Sequence, residues 1–141
     1  MKVLVDTNVV LDVLLKRPDF YKDSFAIFQL IDRGYVSGVL SAASITDIFY
    51  LLRKKLRSLA ETYPIMDELA SLFSIIPVAE TTIASALALR WKDFEDAVQF
   101  VAAKENNIVC ILTRNESDYE SADIPCINPT DFIAKHALNK E

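Results

Sequence analysis

The sequence predicts an α/β domain, a three-layer α/β/α sandwich around a central five-stranded parallel sheet. Three observations predict it. Short apolar runs recur five times, helix-period segments lie between them, and only 2 of 141 residues are Gly. Unbroken apolar runs suit parallel strands buried on both faces, and strand–helix alternation puts helices on both sides of the sheet. The scarcity of Gly argues against a hairpin-rich all-β protein and against a Gly-rich phosphate loop.

Residues 2–6 form the first strand, a Val-rich run closed by Asp6. A helix follows from Val9 to Leu15, which Thr7 or Asn8 can cap and Pro18 helps end. The second helix runs from Phe20 to Arg33, with Phe25, Phe28 and Ile31 at spacings of three, and Gly34 stops it. Val36–Leu40 is the second strand. Ser44 opens a long helix to about residue 59, with Ile45, Ile48, Phe49 and Leu52 as its apolar stripe. A helix over Ile65–Phe73 has Pro64 at its start. Ser74–Val78 is the third strand, and Pro77 marks it as an edge. Helices over Thr82–Arg90 and Asp93–Glu105 precede a fourth strand, Ile108–Thr113, and a fifth, Ile124–Ile127. Thr130 or Asp131 caps a last helix that ends near Leu138.

The chain reads as a single domain over residues 1–141, with no repeat, low-complexity segment or linker. Hydrophobic residues make up 52% and charged residues 25%, a globular balance. The net charge of −5 argues against a simple electrostatic nucleic-acid binder. It leaves room for a nuclease whose positive charge comes from metal ions. Cys110 and Cys126 lie in apolar runs without metal-ligand spacing and read as reduced, buried thiols. No signal peptide is visible, and no apolar run approaches the roughly 20 residues that span a bilayer. A cytoplasmic protein is the expectation.

In open parallel sheets, ligand sites form beyond the carboxyl ends of the strands, and Asp6 stands at such an end. An acid there is either a ligand or a helix cap. Asp47 lies three residues after Ser44, which reads as a variant capping box or as an acid aimed back at the first strand. Asp93 and Asp96 share one face of a helix start, where the first can cap and the second complement the dipole. Asn115 and Asp118 follow the fourth strand, where a turn also explains them. Taken together, these acids fall where the fold can gather them. Two unit charges about 4 Å apart repel by roughly 4 kcal/mol at an effective dielectric near 20. A divalent cation removes that conflict, and oxygen-only ligands suit Mg²⁺ or Mn²⁺.

Three stretches, Val-Leu-Val-Asp-Thr-Asn-Val-Val-Leu-Asp at 3–12, Asp-Phe-Glu-Asp-Ala-Val-Gln at 93–99 and Ile-Leu-Thr-Arg-Asn-Glu-Ser-Asp-Tyr at 111–119, resemble the PIN domain family, in particular its single-domain toxin-type ribonucleases. The resemblance covers essentially the whole chain. It implies a five-stranded parallel sheet between helices and Mg²⁺- or Mn²⁺-dependent cleavage of RNA by metal-activated water. By the same resemblance, Asp6, Asp47 and Asp96 are the catalytic acids, with Asp93 and Asp118 as further metal ligands. Asn8, Ser44, Thr113 and Asn115 are supporting polar residues. Two positions depart from the family pattern. Asp47 stands where Glu is more usual, and Asn115 where Asp is frequent, so either Asp118 compensates or the site holds one metal less firmly.

Arg53, Lys54, Lys55 and Arg57 form a basic cluster that is either a solvated helix face or, with Arg114, a weak track for RNA phosphates. Arg90 and Lys92 can extend it. Trp91 and Tyr119 read as packing residues before base-stacking ones, and His136 as a surface residue. The resemblance further implies a small antitoxin partner and a homodimer, with the helices at 20–33 and 45–59 offering a groove for a partner helix. The alternative is a catalytically weakened or inactive module on the same fold that binds RNA or protein. A phospho-acceptor signalling domain fits poorly, lacking a suitable acceptor Asp and Lys.

Overall fold

In the computed structural model, which describes residues 1–119 and 122–137, the first strand is the centre of the molecule. β1 (Lys2–Val5) pairs in parallel with β2 (Ser37–Ser41) on one side and β4 (Cys110–Leu112) on the other. β3 (Ser74–Ile76) and β5 (Cys126–Ile127) form the edges, giving the order β3-β2-β1-β4-β5. The edge position expected of the third strand therefore holds. Alternation along β1 divides the core between two faces. Val3 and Val5 pack with Val9, Leu40, Leu112 and Phe132, whereas Leu4 packs with Val39, Ile76, Ala97 and Ile111. This two-sided burial makes the three layers.

The chain leaves β1 for β2 and β3 in one direction and later places β4 and β5 in the other. The order reverses between β1 and β4, so a crevice opens beyond their carboxyl ends. Asp6 follows β1 and Thr113 follows β4, and the Asp6 N–H donates to the Leu112 carbonyl at 2.9 Å.

Seven helices are described: α1 (Thr7–Leu14), α2 (Tyr21–Asp32), α3 (Ala42–Leu56), α4 (Leu59–Leu72), α5 (Glu80–Leu89), α6 (Phe94–Glu105) and α7 (Pro129–Ala137). Several starts differ from the sequence expectation. α1 begins directly after Asp6, which occupies its N-cap position in place of Thr7 or Asn8. α4 begins six residues before Ile65, because Ser58 caps it by accepting from the Glu61 N–H at 3.2 Å. Pro64 thus lies inside the helix, where it removes one hydrogen bond but does not end the helix. α7 is capped by Asn128, whose side chain accepts from the Asp131 N–H at 2.8 Å. The residue expected to end that helix, Leu138, lies outside the described residues.

Gly38 in β2 has a packing reason. A Cβ there would meet the Ile31 side chain at 2.5 Å and the Phe73 ring at 2.8 Å. Cys110 and Cys126 are free thiols, each pushed up to about 11 chiefly by burial. Among the described residues no helix is long and apolar enough to cross a membrane.

Candidate metal centre

Asp6 is carried to the crevice by the central strand and is itself only 4% exposed. Its carboxylate makes no capping hydrogen bond, so the capping alternative does not describe it. One oxygen, Oδ2, accepts from the Thr113 hydroxyl at 2.8 Å. The other, Oδ1, accepts from Gln99 Nε2 at 2.9 Å. Burial raises the carboxyl above its ordinary value, while these two bonds pull it back.

α6 supplies the second group of acids. Asp93 caps the helix, accepting from the Asp96 N–H at 3.1 Å. Capping and ligation are compatible here, because that bond occupies one lone pair of one oxygen. Carboxylate oxygens of Asp93, Asp96 and Asp118 lie within 4.8 Å of one another. Asp118 reaches them from a 3₁₀ turn, Glu116–Tyr119, after β4. Asp96 is pushed up to about 7, first by burial and then by the charges of Asp6, Asp93 and Asp118. Tyr119 Oη donates to Asp96 Oδ1 at 3.3 Å. Burial, with Asp6 and Asp96 nearby, raises the tyrosine well above its ordinary value, so it remains a donor.

Asp47 is not in that trio. It is exposed in the second turn of α3 and shares a cavity with Thr7, Asn8 and Glu95. Because α3 begins at Ala42, Ser44 is not its cap, and the Ser44–Asp47 capping box does not form. Glu95 was not anticipated. It accepts from the Thr7 hydroxyl at 3.1 Å. Burial raises its carboxyl most, and the charges of Asp47, Asp6 and Asp93 add to the effect. Glu95 thus couples Asp47 electrostatically to the inner acids.

The supporting residues divide. Thr113 binds Asp6 directly and accepts from the Asn115 N–H at 3.1 Å. Ser44 is fully buried and reaches Asp6 only through Gln99. Asn8 receives a weak bond at 3.5 Å from Arg17. The Asn115 side chain is exposed. Gln99 and Tyr119 complete the network. Gln99 had a readable signal, since it interrupts the otherwise apolar run Ala97–Ala103.

Arg114, expected as a weak RNA contact, is committed elsewhere. Its Nε and Nη2 donate to the two oxygens of Asp12 at 2.8 and 3.1 Å, and its guanidinium lies 3.8 Å from the centre of the Phe20 ring. The reason is that Asp12 is 0% exposed, and a buried carboxylate requires a partner. Arg53, Lys54, Lys55 and Arg57 are exposed at the far end of α3. At 1.5 Å per residue, Arg53 is about 9 Å along the helix from Asp47. Trp91 stacks on Phe100 at 5.1 Å, and His136 stacks on Phe132 at 4.1 Å.

Four carboxylates in one half-buried crevice, with neutral donors from Thr113, Gln99 and Tyr119, fit a hard divalent cation bound through oxygen. A cation would also relieve the repulsion that raises Asp96.

A family model described as PIN domain matches residues 2–117. Ribonuclease VapC1 of Aquifex aeolicus is 29% identical over 141 residues, covering 95% of this chain and 94% of its own. Two solved structures share the fold. VapBC2 from Rickettsia felis, bound to a DNA fragment from their promoter, gives a TM-score of 0.67 at 15% identity, covering 91% of this chain and 98% of its own. A toxin-antitoxin complex from Klebsiella pneumoniae gives 0.64 at 22% identity, covering 90% of this chain and 97% of its own.

Proposed function

This chain belongs to the PIN domain family, and from that membership and its acidic crevice we propose that it is a metal-dependent endoribonuclease, the toxin of a toxin–antitoxin pair. The observation that carries the reading is the gathering of Asp93, Asp96 and Asp118 within 4.8 Å beside Asp6 at the point where the strand order reverses. The similarity to a protein named a ribonuclease along nearly its full length supports the RNA substrate.

Mg²⁺ or Mn²⁺, when bound, supplies polarisation of the phosphodiester, a more acidic water and a counter-charge for the leaving oxygen. The chain's part is to hold and orient. Asp93, Asp96 and Asp118, with Asp6 next to them, would hold the ion. Asp118 takes the role that Asn115 cannot, which favours an active enzyme over a weakened binding module. Asp47 with Glu95 forms an outer acidic group, positioned by the Thr7 hydroxyl, that serves a second ion or the substrate side. The strongest counter-charge for RNA phosphates on the protein is the cluster Arg53, Lys54, Lys55 and Arg57, whose contacts weaken with salt.

A small antitoxin and a homodimer complete the proposal. The kinship in fold to a toxin-antitoxin complex supports the first. A groove of about 410 Å³ lined by Ile45, Phe49, Tyr63, Met66 and Ile75 lies between α3 and α4, and an amphipathic partner helix fits such a surface. The cytoplasm is the compartment where such a pair would act.

Incubating the purified protein with single-stranded and structured RNA tests the activity. Cleavage should need Mg²⁺ or Mn²⁺ and stop with EDTA. Losing an outer-sphere partner already costs 10–100-fold at metal sites, so Asp6→Asn, which alters a ligand, should cost more than about 100-fold. Equal cleavage by wild type and Asp6→Asn would refute the assignment.

A further inference from the structure

We infer that Gln99 is a positioning residue that locks Asp6 and Asp96 into one frame before any cation arrives; the inference rests on the metal-site reading above. Gln99 is 0% exposed and stands on the buried face of α6. Every polar atom of its amide is used. Nε2 donates to Asp6 Oδ1 at 2.9 Å and to Tyr119 Oη at 3.5 Å, and Oε1 accepts from Ser44 Oγ at 3.5 Å. The orientation follows from chemistry: a flipped amide would set its oxygen against the Asp6 carboxylate.

That orientation fixes the next bond. The Tyr119 hydroxyl accepts from Gln99, so its single proton is free for Asp96, to which it donates at 3.3 Å. One amide therefore reaches both acids, Asp6 directly and Asp96 through Tyr119. The acids are far apart in the sequence, one after β1 and one from the first turn of α6. Thr113 holds the remaining oxygen of Asp6. With the Thr7 N–H also engaged, the Asp6 carboxylate keeps lone-pair capacity for a cation but is not free to swing away from a like-charged neighbour. Ser44 and Ser41, joined at 3.2 Å, anchor the other end of the chain to the close of β2.

This is the arrangement by which outer-sphere partners orient ligands, and losing such a partner lowers metal affinity 10–100-fold. Gln99→Met keeps the length of the side chain without its donors. Tyr119→Phe keeps the ring, which meets Trp91 edge-on at 6.0 Å, without the hydroxyl. Mn²⁺ titration by calorimetry, with circular dichroism and thermal midpoints of the metal-free proteins, measures the effect. Each variant should bind Mn²⁺ about 10–100-fold more weakly while folded. The double variant should lose less than the product of the two, because both changes break one chain. A purely structural role predicts a lower midpoint with unchanged affinity. Folded variants that bind as tightly as wild type would overturn the inference. If Gln99→Met does not fold, Tyr119→Phe decides alone, by weakened or unchanged affinity. Wild-type protein that bound no Mn²⁺ would overturn the metal-site reading itself and this inference with it.

Discussion

Asp96 carries an electrostatic conflict that can be read as a function of pH. Its carboxyl is pushed from 3.8 to about 7 by burial and by Asp6, Asp93 and Asp118. Between about pH 4 and 7 the folded metal-free protein therefore holds a proton that the unfolded chain has released. Stability falls with rising pH wherever the native state binds more protons. The raised carboxyls of Asp6 and Glu95 act in the same direction. The thermal midpoint in EDTA should thus drop between pH 5 and pH 8, and saturating Mn²⁺ should cancel most of the drop. A metal-free midpoint that rises over that interval would contradict this electrostatic picture. Much of the site at this scale was legible. A strand-end acid, a helix-start pair and a Thr after the fourth strand are local patterns. The role of Glu95 was not legible, because it depends on what the fold sets opposite it, and Gln99 showed only as a polar break in an apolar run. Glu95 looks like any first-turn acid until Thr7 and Asp47 are placed beside it.

The elements are held in register by a buried charge cluster that periodicity did not reveal. Asp12 in α1 takes both arms of Arg114, from the loop after β4, and also Arg17 at 3.3 Å. Ser24 in α2 donates to it at 3.4 Å. Asp12 thus ties α1 and α2 to the segment that bears Thr113. By spacing Asp12 falls on the polar side of an apolar helix, and a buried face cannot be told from a solvated one by spacing alone. Removing one partner of a buried pair costs about 3–5 kcal/mol, because the other charge is left uncompensated. Arg114→Met, which strips the buried Asp12 of its two shortest charged contacts, should therefore lower the unfolding free energy by up to about that amount in urea titration. A loss below about 1 kcal/mol would class the cluster with ordinary surface pairs. Helix limits were legible to within a few residues where the cap was the first polar residue, as at Asp93. They failed at α4, where Pro64 outweighed the Ser58 cap in a local reading.

For the molecule as a whole, the class of fold followed from alternation, but the order of strands did not. Five apolar runs do not state which run pairs with which, and the site depends on β1 lying between β2 and β4. That order turns separate acids into one crevice. It also reconciles a net charge of −5 with a polyanionic substrate, since a cation bound in the acidic crevice would supply counter-charge there. The same acids would repel RNA if no cation were bound. The strand-order reversal builds the proposed cation site from Asp6, Asp93, Asp96 and Asp118. Anomalous diffraction from crystals soaked in Mn²⁺ tests it most directly. A peak is expected within coordinating distance of the Asp93, Asp96 and Asp118 carboxylates beside Asp6, and a peak bound elsewhere, or none in the crevice, would contradict the metal site.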